Sequence, residues 1–70
     1  MDNKKIGKLI ADLRKENNIS QLELAKLLNM TKMAISHWES GHSEPSISQL
    51  IEISNYFDVT VDYLIGKTNF

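Results

Sequence analysis

Seventy residues with a formal net charge of −1 bound the chain to one domain whose core yields only a few kcal/mol of net stability. With no cysteine and only two histidines, a disulfide framework and a thiolate zinc site are excluded, and the histidines cannot build a structural metal site without carboxylate help. Packed helices, aided by a dimer, are then left to hold the fold.

The first helix is predicted from the recurrence of Ile6, Leu9, Ile10 and Leu13. These fall within about 100° of arc, with Lys8 and Lys15 opposite, and Asn17-Asn18 break the pattern. Ser20-Gln21-Leu22-Glu23 then reads as a capping box opening a second, short helix, with Leu24, Ala25 and Leu28 inward and an end near Asn29. Thr31 caps a third segment that runs to Gly41, a residue suited to the left-handed close of a helix. Ser46 to Gln49 forms a second capping box after Pro45, and Ile47, Leu50, Ile53 and Phe57 make the expected apolar face of a fourth helix. Asp58-Val59 form a turn, and Thr60 caps a last short helix through Leu64 that stops at Gly66. No strand-like alternation, repeat or low-complexity tract is present. The fold class expected is all-α, a compact five-helix bundle.

Charge is unevenly distributed. Residues 1–32 hold seven basic and four acidic side chains, whereas residues 33–70 hold one basic and five acidic. Such asymmetry fits a face for an anionic partner and equally a block of solvated lysines. Apolar runs of three residues or fewer cannot span a membrane, and the polar start Met1-Asp2-Asn3-Lys4-Lys5 does not read as a signal peptide. A cytoplasmic location is expected.

The third helix has two sides. With Thr31 set at 0°, Ile35 falls near about 40°, Trp38 near about 340° and Ala34 near about 300°, forming one inward stripe. Lys32, Met33, Ser36, His37 and Ser40 occupy roughly 100° to 240°. A cation, hydroxyls, an imidazole and one apolar tip suit base edges, phosphates and thymine methyls in a major groove. A solvated helix face is also polar, and periodicity alone leaves both readings open.

The arrangement as a whole resembles the Cro/CI-type (XRE) helix-turn-helix family of phage repressors and bacterial regulators, over Ile6 to Gly66. The residues that carry the resemblance are Ser20-Gln21-x-Glu23-Leu24-Ala25, Ile35-Ser36-x-Trp38-Glu39-x-Gly41, Pro45-Ser46 and Val59-x-Val61-Asp62-Tyr63-Leu64. It implies a lambda-repressor-like domain over residues 6–66, with the helix-turn-helix at about 20–40 and residues 67–70 as a short tail. It further implies a sequence-specific transcriptional regulator, a repressor on an inverted-repeat operator, bound to double-stranded DNA as a homodimer. Lys32, Met33, Ser36 and His37 would touch bases, and Gln21, Thr31, Ser40 and Ser43 phosphates. Many relatives carry glutamine at the positions of Lys32 and Met33, so their base preferences do not transfer. The loop His42-Ser43-Glu44 also departs from the family, which often has lysine or arginine there.

Arg14 and Glu39 lie at the edges of their helices' apolar stripes, and in the family these positions form an ion pair, expected here as scaffold. Tyr56, Val61, Tyr63, Ile65 and Phe70 add apolar surface in the region where the family commonly makes its two-fold contact; the alternative is that they close the monomer core. Two further readings stay open: an antitoxin of the same fold that binds a toxin protein and its own operator, and a protein-interaction module without DNA binding. No enzyme is expected, since no paired-carboxylate cleft, glycine-rich phosphate loop or nucleophile with a base is present, and no cofactor or metal is expected.

Overall fold

The computed structural model describes residues 3–66. Among the described residues five helices follow one another: α1 Asn3–Glu16, α2 Gln21–Leu27, α3 Lys32–Ser40, α4 Ile47–Phe57 and α5 Val61–Ile65. α1 begins a turn's length before its first apolar residue.

Helix starts are written in side-chain hydroxyls. Ser20, Thr31, Ser46 and Thr60 each sit in extended backbone and accept from the N–H three residues on. Ser20 with Glu23, and Ser46 with Gln49, complete reciprocal boxes, satisfying donors that the first turn leaves unpaired. Hydrogen bonds from the Ser20 backbone and hydroxyl hold the Glu23 carboxyl below its ordinary range. Helix ends share one device as well. Asn18, Asn29, Gly41 and Asp58 take left-handed conformations, and in each case the next N–H reaches back five residues. The bonds are Ile19 to Arg14, Met30 to Ala25, His42 to His37 and Val59 to Ser54. This is the Schellman closure, which pairs carbonyls the last turn would strand.

Ile6, Ile10, Leu13, Leu24, Ala25, Ile35, Trp38, Leu50, Ile53 and Leu64 form a single core, with Leu28, Met30, Phe57, Val61 and Ile65 packed at its margin. α3 lies at the centre of this arrangement, against both α1 and α2, while α5 joins α1 to α4. One expectation fails. Ile47, assigned to the apolar face of α4, is 65% exposed. It is the first residue of α4, a turn ahead of the fully buried Leu50, so that turn projects past the core. Ser54 is buried along the same side instead, its hydroxyl donating to the Ile51 carbonyl at 2.7 Å. A short hydroxyl that bonds its own helix loses little on burial.

α1 meets α3 closely because residue 7 is glycine. A Cβ at Gly7 would strike the Trp38 carbonyl oxygen, lying also 3.0 Å from the Trp38 carbonyl carbon and 3.1 Å from the Glu39 Cα. Backbone therefore packs on backbone where α1 crosses the C-terminal half of α3.

Candidate nucleic-acid interface

The turn between α2 and α3 is set by Asn29, whose left-handed backbone (φ 57) reverses the chain within four residues. Thr31 then starts α3, its Oγ1 accepting from Ala34 N at 3.2 Å. That bond uses an acceptor lone pair and leaves the hydroxyl proton free to donate outward. Ile35 and Trp38 anchor α3 in the core, and Ala34 is half-buried beside them.

On the opposite side the outward residues are not equally prominent. Lys32 and Met33 are exposed, Met33 to 68%, whereas Ser36 and His37 are half-buried. The face is thus proud at its N-terminal turn and recessed behind it. Ser40 is exposed and its hydroxyl donates to the His37 carbonyl at 3.2 Å. Ser43 is half-buried and its backbone N–H donates to the same carbonyl at 3.2 Å. Gly41 (φ 80) turns the chain back over the end of α3, and this brings His42 beside His37 with ring centroids 4.7 Å apart. Glu44 is exposed in the loop that follows.

Behind the face, Arg14 and Glu39 are brought together in a two-pronged pair. Nε of Arg14 donates to Glu39 Oε2 at 2.7 Å and Nη2 donates to Oε1 at 3.0 Å. A third donor, Nη1, reaches the Ile19 carbonyl at 2.8 Å. The side chains are 12% and 10% exposed, and the hydrogen bond to Glu39 raises the Arg14 pKa further above its ordinary value. Gln21 joins the same group, donating from Nε2 to Glu39 Oε1 at 3.0 Å. One of its two amide hydrogens is thereby committed inside the protein, leaving the other, with the N–H at the start of α2, for an outside acceptor. The network links the end of α1, the start of α2 and the end of α3. Sequence patterning does not reveal the Gln21 bond, because Gln21 and Glu39 are eighteen positions apart.

Of the residues grouped as apolar surplus, Tyr56 and Tyr63 are 43% and 39% exposed, and Ile47 and Ile51 on α4 are also exposed. Tyr56 packs edge-on against Phe57 with centroids 4.9 Å apart. Val61 and Ile65 are partly buried against the core. Phe70 and the rest of 67–70 lie outside the described residues. Among the described residues no helix is long and apolar enough to cross a membrane.

Comparison with known proteins finds consistent relatives. A helix-turn-helix family model matches residues 10–64. The chain is 32% identical to the HTH-type transcriptional regulator ImmR of Bacillus subtilis over 89% of its own length and 49% of that protein's. It is 38% identical to the ImmF control region 10 kDa protein of Bacillus phage phi105, over 91% of this chain and 71% of that protein. Relative to ImmR, then, the chain spans about half of the length. Among solved structures, the P22 c2 repressor protein in complex with a synthetic operator superposes with a TM-score of 0.82 at 32% identity, covering 89% of this chain and 94% of that one.

Proposed function

Because this chain belongs to the helix-turn-helix family, we propose that it is a sequence-specific DNA-binding transcriptional regulator, acting as a repressor on an inverted-repeat operator as a homodimer. The observation that carries this reading is the two-sided α3. Ile35 and Trp38 fix it in the core, and Lys32 and Met33 stand exposed at its N-terminal turn. Recognition helices of this class present their N-terminal residues to base edges while the preceding helix crosses the backbone.

In that geometry Lys32 donates to guanine O6 or N7 and Met33 packs on a thymine methyl. Ser36 and His37, set deeper, meet bases only where the groove floor comes close. Gln21, Thr31, Ser40 and Ser43 hold phosphates, which supply affinity and register but no choice of sequence. One module reads too few bases to be selective, so two copies with recognition helices about 34 Å apart are needed. Repression follows when the occupied site overlaps a promoter. Lys32→Ala is expected to weaken operator binding by about 1–3 kcal/mol, roughly 5- to 150-fold, and to relax base preference at one position of each half-site. Fluorescence anisotropy on a bound duplex measures this, with circular dichroism melting as the folding control. Undiminished affinity in a Lys32→Ala, His37→Ala double variant would show that this face of α3 does not read the DNA, and a wild-type chain that binds no duplex would point to an interaction module without DNA contact.

We assign the two-fold contact to the exposed Tyr56 and Tyr63 together with Val61 and Ile65; Phe70, outside the described residues, is a further candidate. Exposed tyrosines are enriched where protein surfaces associate. Tyr63→Asp should convert the protein to a monomer by sedimentation equilibrium and weaken operator binding in parallel. A wild-type mass of one chain at tens of micromolar would contradict a dimer stable without DNA.

A further inference from the structure

The chain's two histidines, far from the Arg14–Glu39 network in role, are placed side by side by backbone geometry. His37 is on the last turn of α3, and the left-handed Gly41 (φ 80) folds the chain back so that the His42 N–H donates to the His37 carbonyl at 2.9 Å. The ring centroids are 4.7 Å apart and the planes meet at 49°. That angle is neither the parallel of an offset stack nor the perpendicular of an edge contact.

The separation does match two imidazoles sharing one ion. A metal–nitrogen bond of about 2.1 Å puts each ring centroid about 3.2 Å from the metal, so two rings at about 90–109° around it have centroids about 4.5–5.2 Å apart. A ring centroid lies nearly on the Cβ–Cγ axis. Turning each ring about that bond therefore changes which ring atoms face the neighbouring imidazole without moving the centroids or the backbone.

We propose that His37 and His42 form an exchangeable two-imidazole site for a borderline divalent cation of the zinc or nickel type. Neutral imidazole suits such ions, and oxygen-seeking magnesium is disfavoured. Among the described residues no cluster of three or more histidine or carboxylate ligands exists, so the remaining positions belong to water and the site is open, unlike a structural one. Two positive charges here would sit at the end of α3, where the loop that carries the exposed Glu44 begins. That this tightens DNA binding rests on the DNA-facing reading of α3; metal binding itself does not.

Titration of the free protein with zinc chloride, followed by calorimetry and by the two histidine Cε1–H resonances, tests the site. One ion per chain is expected, with both resonances moving together. His37→Ala and His42→Ala should each weaken binding at least tenfold, with magnesium chloride giving no response. Wild-type zinc affinity in either single variant, or a response of one histidine alone, overturns the proposal. His42 is exposed in a loop, so its variant folds even where the His37 variant is altered. Anisotropy on duplex DNA with zinc and with chelator then reads the coupling separately: loss of coupling with zinc binding intact would reject the DNA-facing consequence and leave the site standing.

Discussion

Replacing Gly7 with alanine is expected to destabilise the protein by about 3 kcal/mol, although alanine is the better helix former. In an unconstrained helix the change would gain about 1 kcal/mol. Here the new Cβ collides with the Trp38 carbonyl oxygen and approaches the Glu39 Cα at 3.1 Å. Overpacking costs typically about 1–3 kcal/mol, and more when nothing can yield. A flexible side chain could swing aside, but backbone cannot, so α1 as a whole must move away from α3. In a domain this small, with stability on the order of 3–5 kcal/mol, such a loss leaves much of the population unfolded. Thermal melting followed by circular dichroism should show a fall of roughly 15–20 °C. An unchanged or raised Tm for Gly7→Ala would mean that α1 does not cross α3 at this distance.

Glu39→Ala should cost a similar amount, for a different reason. The Arg14 side chain is 12% exposed and makes two of its three bonds to Glu39. Removing the carboxylate leaves a nearly buried cation with only the Ile19 carbonyl, and strands the Gln21 amide as well. Breaking one side of such a pair costs about 3 kcal/mol, whereas replacing both partners with apolar groups costs much less. Glu39→Ala is therefore expected to melt roughly 15–20 °C lower, and Arg14→Met with Glu39→Leu to recover part of that loss. If Glu39→Ala melts with the wild type, the pair is not scaffold. Because the network reaches α1, α2 and α3 together, the single variant should also bind DNA more weakly at temperatures where it remains folded.

Local chemistry made much of the fold legible in the sequence. The four hydroxyl caps at Ser20, Thr31, Ser46 and Thr60, and the closures at Gly41 and Gly66, are set by side chains within a few residues of the bonds they make. The inward Ile35 and Trp38 follow from helical period. What escaped was set by distant parts of the chain. Gly7 reads as an ordinary weak spot in a helix until α3 is laid against it; a glycine inside an otherwise apolar helical pattern was the available signal. Ile47 fits the apolar stripe by angle, yet angle says nothing about where the neighbouring helices stop. The pairing of His37 with His42 depends on the reversal at Gly41, which the position of the glycine announces without revealing what it brings together. Ser36 and His37 lie on the predicted outward arc, but their half-burial reflects the relief around them, which a helical wheel lacks.

Relief of that kind matters for function. With Lys32 and Met33 proud and Ser36 and His37 recessed, specificity should concentrate on the bases under the first turn of α3. The proposed phosphate contacts Gln21, Thr31, Ser40 and Ser43 are uncharged and release few counterions, so affinity is expected to fall only modestly with added salt. In the proposed dimer, selectivity comes from pairing two such short readouts on one operator.

Selection of bound duplexes from a random DNA pool by the purified wild-type chain tests this account most directly. It predicts enrichment of an inverted repeat whose half-sites are about one helical turn, 10–10.5 base pairs, apart, with the enrichment lost for the Lys32→Ala, His37→Ala double variant. A pool that stays random after repeated rounds, or enrichment that the double variant retains, would contradict it.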